Sequence, residues 1–481
     1  MLLGIDVGTS GVKLSLVSPE MREVASASSP LAVSTPEPYW SEQNPDDWRT
    51  ATAQAVAALS ESADLSTVRA IGLSGQMHGA VLLDAEHKPL RPAILWNDGR
   101  SYAECEELSR RSPDVGIIAG APPLPGFTAP KIMWLKRAEP AVYDRIAAVL
   151  LPKDYVGRWL HGELVTDKSD AAGTLWFDQA ARGWSPSLCA ATDTDIAWLP
   201  RCVEGVETAG TLTAAAASEL GLPPGIPVVA GGGDAATGAV GVGAVDEGAG
   251  FLSLGTSGQI FVASASYRPN PAQVIHAYAH AVPGMWYQMA AMLNGARPMA
   301  WFANVAKAPI EQLLAEAEAI DPASAPLFLP YLTGERSPLG DAHIRGAFYG
   351  LADDTDRASM MRGVINAIAF SFANAATGLR DNLPGSLPAI GGGAQSDLLL
   401  QTLASALGIG VERAEGAVTG PAFGAAKLAG RAVGAFSDAD LEQPVATSKS
   451  FEPTPWEGQD EAMRRFSELY TVLKPLAARA G

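Results

Sequence analysis

The chain begins with a strand-like apolar run that leads into a glycine-rich turn. Residues 2–5 are Leu, Leu, Gly and Ile, and the run ends at Asp6. A Gly-Thr-Ser-Gly turn follows at residues 8–11, and residues 12–16 then alternate between apolar and polar side chains. Because such alternation is typical of strands, the pattern predicts a β-hairpin with Asp6 at the end of its first strand.

The same tetrapeptide occurs a second time, at residues 255–258. An apolar run at residues 251–254 precedes it, and a second short run at residues 259–262 follows it. Chance could repeat four residues in a chain rich in glycine and serine, but it would less often repeat the strand–turn–strand setting. The repeat therefore predicts a duplicated domain with two glycine-rich hairpins.

Each half of the chain also contains a strand that ends in three glycines. Residues 227–230 lead into 231–233, residues 388–390 lead into 391–393, and a helical pattern follows each turn. Both halves thus have the order βββαβαβα, and 481 residues suffice for two large domains. We predict an α/β fold with domains at residues 1–243 and 244–481. The last helix either completes the second domain or packs back on the first.

Composition and charge disfavour several classes of binding partner for this protein. The net charge is −18, and no basic block is present, so nucleic acid and anionic membranes are not expected to bind. No apolar run is long enough to span a bilayer, and the first strand follows Met1 without a visible signal segment. The three cysteines are scattered, which disfavours disulfides and thiolate metal sites and fits a cytoplasmic location.

The first hairpin has the chemistry of a phosphate site. Glycines let backbone N–H groups converge into an anion-binding concavity, and Thr9 and Ser10 add hydroxyl donors. Asp6 at the strand end could hold Mg²⁺ through water. The alternative for a single hairpin is an ordinary tight turn with a surface aspartate.

Asp234 is the strongest candidate for a catalytic group. It follows three glycines at the predicted start of a helix, where the helix dipole favours the ionised carboxylate by about 0.3–1 kcal/mol. Such a carboxylate could accept a proton from a sugar hydroxyl as that oxygen attacks phosphorus. A plain helix cap is an equal alternative on this residue alone.

Residues 231–236 also fit the GxGxxA pattern of dinucleotide-binding turns. An NAD-dependent enzyme is therefore a further alternative. It is disfavoured because Asp234 would face the pyrophosphate, and because Asp246 and Glu247 come too early for the acidic residue expected about 20 positions later.

Three histidines are candidate ligands. His78 lies in a glycine-bounded loop at a strand end, where ligand binding and a core position are equal alternatives. His276 and His280 have i, i+4 spacing without an HExxH motif, so core or ligand-lining positions are favoured over a metal pair.

Residues 391–394 carry no large side chain, which suits a nucleoside lying on the backbone, although close strand–helix packing is the alternative. Trp301 is expected in the core from its helical spacing, with stacking on a base as the minority interpretation. Lys131 and Lys153 could be solvated surface residues.

Segments along the whole chain together resemble the FGGY family of carbohydrate kinases, of the actin-like ATPase superfamily. They are LGIDVGTSGVK (3–13), SGQMHGA (74–80), RPAILWNDGR (91–100), PGFTAPK (125–131), LLPKDY (150–155), SDAAGT (169–174), VVAGGGD (228–234), LSLGTSG (252–258), FLPYLTGERSP (328–338) and IGGGAQS (390–396). DVGTS with a distant GTSG is shared across the superfamily, whereas QMHG followed by WNDGR is more specific and is similar to the xylulokinases.

The resemblance implies two RNase H-like domains with a cleft between them. We expect sugar binding to close these domains about a hinge near residues 243–250. The resemblance also implies transfer of the ATP γ-phosphate to O5 of D-xylulose, with Mg²⁺ as cofactor and a homodimer as one candidate assembly. Asp234 matches the general base, Asp6 the residue near Mg²⁺, and Met77, His78 and Asp234 the sugar site. The matching nucleotide-binding residues are Gly8, Thr9, Ser10, Lys13, Gly255, Thr256, Ser257, Trp301, Gly392, Gly393 and Ser396.

Two positions depart from the family pattern. Ala235 stands where members often carry an asparagine that touches the sugar, so another pentulose, a deoxy-pentulose or a pentitol is an alternative substrate. Ser359 and Met360 stand where a polar or acidic residue is usual, in a helix. A non-catalytic actin-like nucleotide-binding protein is the remaining alternative.

Overall fold

A computed structural model describes residues 1–415 and 420–477 of the chain. The strands within these ranges are β1 (Leu2–Val7), β2 (Gly11–Val17), β3 (Glu23–Pro30), β4 (Glu42–Gln43), β5 (Ala70–Gly75), β6 (Val81–Leu83), β7 (Ala93–Ile94), β8 (Ala148–Leu150), β9 (Val165–Asp167), β10 (Phe177–Asp178), β11 (Gly183–Trp184), β12 (Arg201–Val203), β13 (Thr208–Thr211), β14 (Pro227–Gly233), β15 (Gly250–Leu254), β16 (Gly258–Ser264), β17 (Ile275–Ala279), β18 (Trp286–Met292), β19 (Leu327–Leu329), β20 (Ala347–Tyr349), β21 (Ser386–Ile390), β22 (Gly410–Ala414) and β23 (Thr447–Phe451).

The helices within the same ranges are α1 (Pro45–Ser60), α2 (Tyr102–Arg111), α3 (Val115–Ala119), α4 (Thr128–Ala138), α5 (Pro140–Tyr143), α6 (Pro152–His161), α7 (Lys168–Ala171), α8 (Pro186–Ala191), α9 (Ala214–Leu220), α10 (Asp234–Val242), α11 (Arg297–Ala306), α12 (Ile310–Glu318), α13 (Arg357–Ala376), α14 (Asp397–Leu407), α15 (Pro421–Ala432), α16 (Asp438–Leu441) and α17 (Gln459–Ala477). Among the helices that the structure describes, none combines the length and the apolar character that crossing a bilayer requires.

Two mixed sheets with the same central arrangement form the frame. The first has the order β13-β14-β5-β1-β2-β3, and the second has the order β17-β18-β16-β15-β21-β22-β23. In each, a hairpin (β1–β2 or β15–β16) pairs on one side with a parallel strand, β5 or β21. Both Gly-Thr-Ser-Gly turns join the strands of these hairpins, as the repeat predicts.

The carboxyl ends of β1, β5 and β14 meet at one edge of the first sheet. These strands are parallel, and Asp6 of β1 pairs in register with Ser74 of β5. All six residues of β1 are buried, because the sheet is covered on both faces. Side chains that follow these strands are therefore placed together, although they are far apart in the sequence.

Helix α15 lies in the second half of the sequence but packs on β1, β5 and α10 of the first half. The approach is so close that a Cβ on Gly4 would lie 1.8 Å from the carbonyl oxygen of Ala422. A Cβ on Gly72 would likewise lie 1.9 Å from the carbonyl oxygen of Ala425. The two halves are thus joined by a helix whose small residues permit backbone contact.

The last helix, α17, packs on elements of the second half. Phe466 is completely buried, and its ring centroid lies 6.1 Å from that of Tyr331 and 5.8 Å from that of Phe370. The element that crosses to the first sheet is α15, not α17. The boundary between residues 243 and 244 stays a prediction, and residues 416–419 and 478–481 of the second predicted domain lie outside the described residues.

Candidate active site

Asp6 lies at the edge of the first sheet and is almost fully buried. The Ser74 hydroxyl donates a hydrogen bond to Asp6 Oδ1 at 2.9 Å and lies 2.7 Å from the Thr237 hydroxyl on α10. Burial raises the pKa of Asp6 to about 6, while the Ser74 hydrogen bond and the charge of Lys13 oppose this shift. Lys13 itself is exposed.

Side chains from other segments of the chain hold the first glycine-rich turn in place. The Thr9 hydroxyl donates to Gln76 Oε1 at 2.9 Å and accepts from the indole N–H of Trp96 at 2.9 Å. The side-chain amide of Gln43 donates to the backbone oxygen of Thr9 at 2.8 Å. Ser10 is exposed at the tip of the turn, and Gly8 is half-buried. A preformed turn of this kind presents its N–H groups without further ordering.

Asp234 is the first residue of α10, directly after β14, and lines a large cavity. Burial, and then the negative charge of Asp6, raise its pKa to about 7, although backbone N–H groups at the start of α10 oppose the shift. A carboxyl with a pKa near neutrality can exchange a proton readily at physiological pH. The fold therefore places Asp6 and Asp234 close enough for their charges to interact.

The cavity has a volume of about 800 Å³ and lies between the two halves. Met77, His78 and Asp234 line it from the first half, and Ser257 is among the residues that line it from the second. A pentose is much smaller, so the cavity has room for a sugar and for part of a second substrate. All three predicted sugar-site residues are thus placed around one space.

His78 is fixed in an unusual conformation beside the cavity. Its φ is +68°, and its Nδ1 lies 2.7 Å from the backbone oxygen of Gly173, which can only accept, so Nδ1 carries the hydrogen. Burial lowers the pKa of His78 well below its usual value, which leaves the imidazole neutral. Residues held in such sparsely populated backbone conformations often cluster at active sites and ligand-binding sites.

Lys131 and Lys153 are both completely buried, so the interpretation of these two residues as surface lysines is wrong. The Lys131 ammonium donates to the backbone oxygen of His78 at 2.8 Å and thereby supports its loop. Lys153 pairs with three buried carboxylates, including Asp167 at 2.9 Å and Asp170 at 3.4 Å. Sequence reasoning missed these roles because a lysine in a polar motif gives no signal of burial before the partners are placed.

A hydrogen-bond chain links the Lys153 cluster to the strand that carries Asp234. The Ser169 hydroxyl donates to Asp167 Oδ2 at 2.5 Å and accepts from the backbone N–H of Gly233 at 3.1 Å. Gly233 immediately precedes Asp234, so these hydrogen bonds hold the end of β14 in place. The motif at residues 169–174 can be recognised in the sequence, but its contact with the backbone of Gly233 cannot.

The second hairpin and the second triple-glycine turn also lie side by side. Thr256 and Ser257 are exposed at the turn, and a Cβ on Gly393 would lie 2.9 Å from the Cβ of Leu254. Gly392 is exposed and faces open space. The Ser396 hydroxyl accepts from the backbone N–H of Leu399 at 3.2 Å, which makes it the cap of α14.

Trp301 is half-buried on α11 and stacks on Phe328 with ring centroids 5.5 Å apart and an interplanar angle of 4°. The packing expected from its helical spacing is therefore observed. The edge left exposed is the part that a base could contact.

The carboxylates at the edge of the first sheet are suitable ligands for a hydrated Mg²⁺. In the described ranges no group of three or more His, Cys, Asp or Glu side chains could hold a metal ion by itself. Mg²⁺ usually keeps several waters and is held by one or two carboxylates together with substrate phosphates. Asp6 and Asp234 match that requirement, whereas His276 and His280 do not act as a pair: His280 Nε2 lies 3.1 Å from the backbone oxygen of Ala244.

Comparison with known proteins gives one consistent result. The model of the N-terminal domain of the FGGY family of carbohydrate kinases matches residues 1–241, and the model of the C-terminal domain matches residues 250–433. A xylulose kinase from Escherichia coli (strain K12) is 40% identical over 490 residues, covering 99% of this chain and 100% of that protein.

Solved structures agree over the full length. A structure described as a xyloylose kinase from Brucella ovis has a TM-score of 0.95 and 42% identity, covering 99% of both chains. A xylulose kinase structure from Rhodospirillum rubrum has a TM-score of 0.92 and 30% identity, again covering 99% of both chains. The predicted actin-like fold with two RNase H-like domains is thereby confirmed. The chain belongs to the FGGY family of carbohydrate kinases, enzymes that phosphorylate small sugars with ATP.

Proposed function

We propose that this kinase transfers the γ-phosphoryl group of ATP to O5 of D-xylulose, giving D-xylulose 5-phosphate and ADP. The relatives that match over the full chain are xylulose kinases, which supports this choice of sugar. The observation that carries the proposal is the carboxyl of Asp234 at the cavity wall, close enough to Asp6 for their charges to interact.

Asp234 acts as the general base in this proposal. Its ionised carboxylate accepts the proton of the O5 hydroxyl as O5 attacks the γ-phosphorus, and the O–P bond to ADP breaks. General-base assistance of this kind contributes about 10²–10⁴ in rate. Mg²⁺, held near Asp6, would supply positive charge to the phosphate oxygens.

The two hairpins hold the nucleotide on either side. The backbone N–H groups and hydroxyls of residues 8–10 and 255–257 would bind the phosphates, and Lys13 would add a positive charge at their rim. Gly392, Gly393 and Ser396 would lie along the adenosine, and the exposed edge of Trp301 would contact the base. Backbone donors account for phosphate binding in a chain with a net charge of −18.

The absence of an amide side chain at position 235 favours a second candidate substrate. Ala235 lines the cavity next to Asp234 and offers no hydrogen bond to a sugar hydroxyl. Another pentulose, a deoxy-pentulose or a pentitol would lose less from this change than a sugar that requires the amide. We therefore regard the choice among these sugars as the part of the proposal to test first.

The test is ADP release with MgATP across D-xylulose, 1-deoxy-D-xylulose, D-ribulose, L-ribulose, glycerol, D-arabinitol and xylitol. The highest kcat/KM is expected for D-xylulose. A higher value for another sugar would overturn the assignment of D-xylulose while leaving the kinase intact. Nucleotide binding without sugar-stimulated ADP release would instead favour a non-catalytic protein.

The role of Asp234 is tested separately with Asp234→Asn. This variant should lose about 10²–10⁴ in kcat with D-xylulose, because the proton acceptor is removed. It should retain nucleotide binding, because the amide keeps the shape of the side chain and Asp6 remains as a carboxylate near Mg²⁺. Asp353→Asn is the matched control, since Asp353 is exposed and lies outside both the cavity and the proposed hinge. Near-normal kcat in Asp234→Asn would exclude Asp234 as the base.

Four further predictions concern the whole protein. We propose that the domains divide between residues 243 and 244, that they close about a hinge at residues 243–250, and that the chain forms a homodimer in the cytoplasm. Closure would exclude water, which competes with the sugar for the phosphoryl group. Small-angle scattering with and without sugar, at two protein concentrations, measures both closure and assembly.

A further inference from the structure

The cavity wall contributed by the second half carries polar groups that have no role in the proton transfer. His276 and Tyr278 lie two residues apart on β17, so both point to the same face, and both line the cavity. Neither imidazole nitrogen of His276 nor the Tyr278 hydroxyl has a hydrogen-bond partner within residues 1–415 and 420–477. Since buried polar groups are normally hydrogen-bonded, these atoms point to a ligand.

A cation lies on the same wall. Arg336 lines the cavity, is half-buried, and pairs with no carboxylate in the part of the chain that the structure describes. The neighbouring Glu335 interacts with the Arg336 charge but forms no ion pair with it. The Glu335 carboxylate instead accepts from the backbone N–H groups of Leu293 at 2.6 Å and of Arg336 at 2.8 Å. The guanidinium lies 5.5 Å from the ring centroid of Trp96. Its donors are therefore available to a molecule in the cavity.

These groups continue directly from the sugar site. The ring of Phe127 lies between His78 and His276, with centroid distances of 4.4 Å and 5.8 Å, and the His276 ring stacks on Tyr278 at 5.4 Å. The charge of Arg336 helps to lower the pKa of both His78 and His276, which places the guanidinium near both rings. The wall and the predicted sugar residues therefore surround one continuous space.

The chemistry of the substrate calls for such a group of donors. A 2-ketopentose closes its five-membered ring through O5, so a sugar whose O5 is free to attack phosphorus must be in the open-chain form. Its C2 keto oxygen then accepts hydrogen bonds but cannot donate them. Arg336 can only donate, and Tyr278 and neutral His276 each have a hydrogen to donate. The donors match an acceptor-only carbonyl better than they match a polyol hydroxyl.

We propose that Arg336, Tyr278 and His276 form a subsite that binds the keto end of an open-chain ketose, opposite the hydroxyl that is phosphorylated. This subsite sets the preference for ketoses over polyols of the same length. The inference rests on the proposed function, because it takes O5 of a ketose as the attacking atom. It adds residues of the second half to a sugar site otherwise built on the first half.

The test compares D-xylulose with xylitol, which has the same chain length and lacks the carbonyl. Arg336→Gln should lower kcat/KM for D-xylulose about 10- to 100-fold, the range for losing a hydrogen bond to a charged group. The loss for xylitol should be clearly smaller, so the ketose-to-polyol ratio falls. Arg345→Gln is the matched control, because Arg345 is exposed in the same segment and lies outside the cavity.

A second pair of variants guards against a folding defect in Arg336→Gln. Tyr278→Phe should reduce the ketose-to-polyol ratio, whereas Tyr287→Phe should not. Both hydroxyls are buried without partners within the described residues, but only Tyr278 lines the cavity. Equal losses for both substrates, or equal effects of the two tyrosine variants, would overturn the subsite. A wild-type enzyme without ketose activity would instead overturn the proposed function, so the two failures are distinguishable.

Discussion

At the scale of single residues, the site depends on two carboxyl groups that share one low-dielectric space. Asp6 and Asp234 come from strand ends more than 200 residues apart in the sequence, and each is destabilised in its ionised form by burial. The negative charge of Asp6 adds to the effect of burial on Asp234. The pair is therefore suited to receive both a proton and a cation, since either one relieves the repulsion.

The raised pKa of Asp234 predicts the pH dependence of the reaction. Asp234 must be ionised to act as a base, so kcat/KM should fall below a pH of about 7 and approach a tenfold loss per pH unit. Removing the charge of Asp6 lowers the pKa of Asp234, so the residual activity of Asp6→Asn should have its acidic limb shifted to lower pH. The measurement is kcat/KM for MgATP from pH 5 to 9, which reports the pKa values of the enzyme before MgATP binds.

The exposed Asp353 provides the control for this profile. Asp353→Asn should leave the acidic limb unchanged, because that side chain lies outside the cavity and the hinge. An acidic limb near pH 4 in the wild type would contradict the raised pKa of Asp234.

At the scale of secondary structure, the decisive element is α15. Its small residues allow the helix backbone to contact β1, β5 and α10 directly, so no side chain separates these elements. A Cβ on Gly424 of this helix would lie 1.8 Å from the carbonyl oxygen of Thr237 on α10, the helix that begins at Asp234. The position of Asp234 thus depends on a helix from the other half of the sequence.

The close contact predicts a strong effect of adding one methyl group. Gly72→Ala should lower the free energy of unfolding by about 1–3 kcal/mol or more, because the new Cβ would lie 1.9 Å from a backbone oxygen that cannot rotate away. Urea denaturation followed by circular dichroism measures this change. Gly385→Ala is the control, since Gly385 is exposed and a Cβ there meets no atom within 4 Å. Equal stability of the two variants would contradict the contact.

At the scale of the whole molecule, the halves share helices, core and cavity. A single core cluster contains Met77 and Ala236 of the first half together with Tyr278, Tyr287 and Leu428 of the second. Unfolding one half would therefore expose apolar surface of the other. Cooperative unfolding is expected despite the two-domain architecture.

Calorimetry of the full chain should show one thermal transition, and MgATP should move that whole transition to higher temperature. The shift follows because a ligand that binds only the native state stabilises every element that unfolds with its site. A mutation in the first sheet such as Gly72→Ala should lower the same single transition. Two transitions, of which MgATP moves only one, would show that the halves unfold independently.

The sequence by itself determined the fold class, the duplication and the location of both glycine-rich hairpins. These features are local, because a strand, a glycine turn or a helix start is each determined by a stretch of about ten residues. The grouping of Asp6, Met77, His78 and Asp234 at one edge of the first sheet also follows, because parallel strands end at a common edge. The family resemblance in turn indicated a sugar kinase.

Only the tertiary structure decided which distant residues support these local features. Burial of Lys131 and Lys153 could not be predicted, because a lysine is stable inside a protein only when partners from other segments surround it. The crossing of α15 to the first sheet depends on complementary glycines in three separate elements. The unpartnered groups of His276, Tyr278 and Arg336 become meaningful only when the second half is placed against the first, since the cavity they line exists only between the two halves.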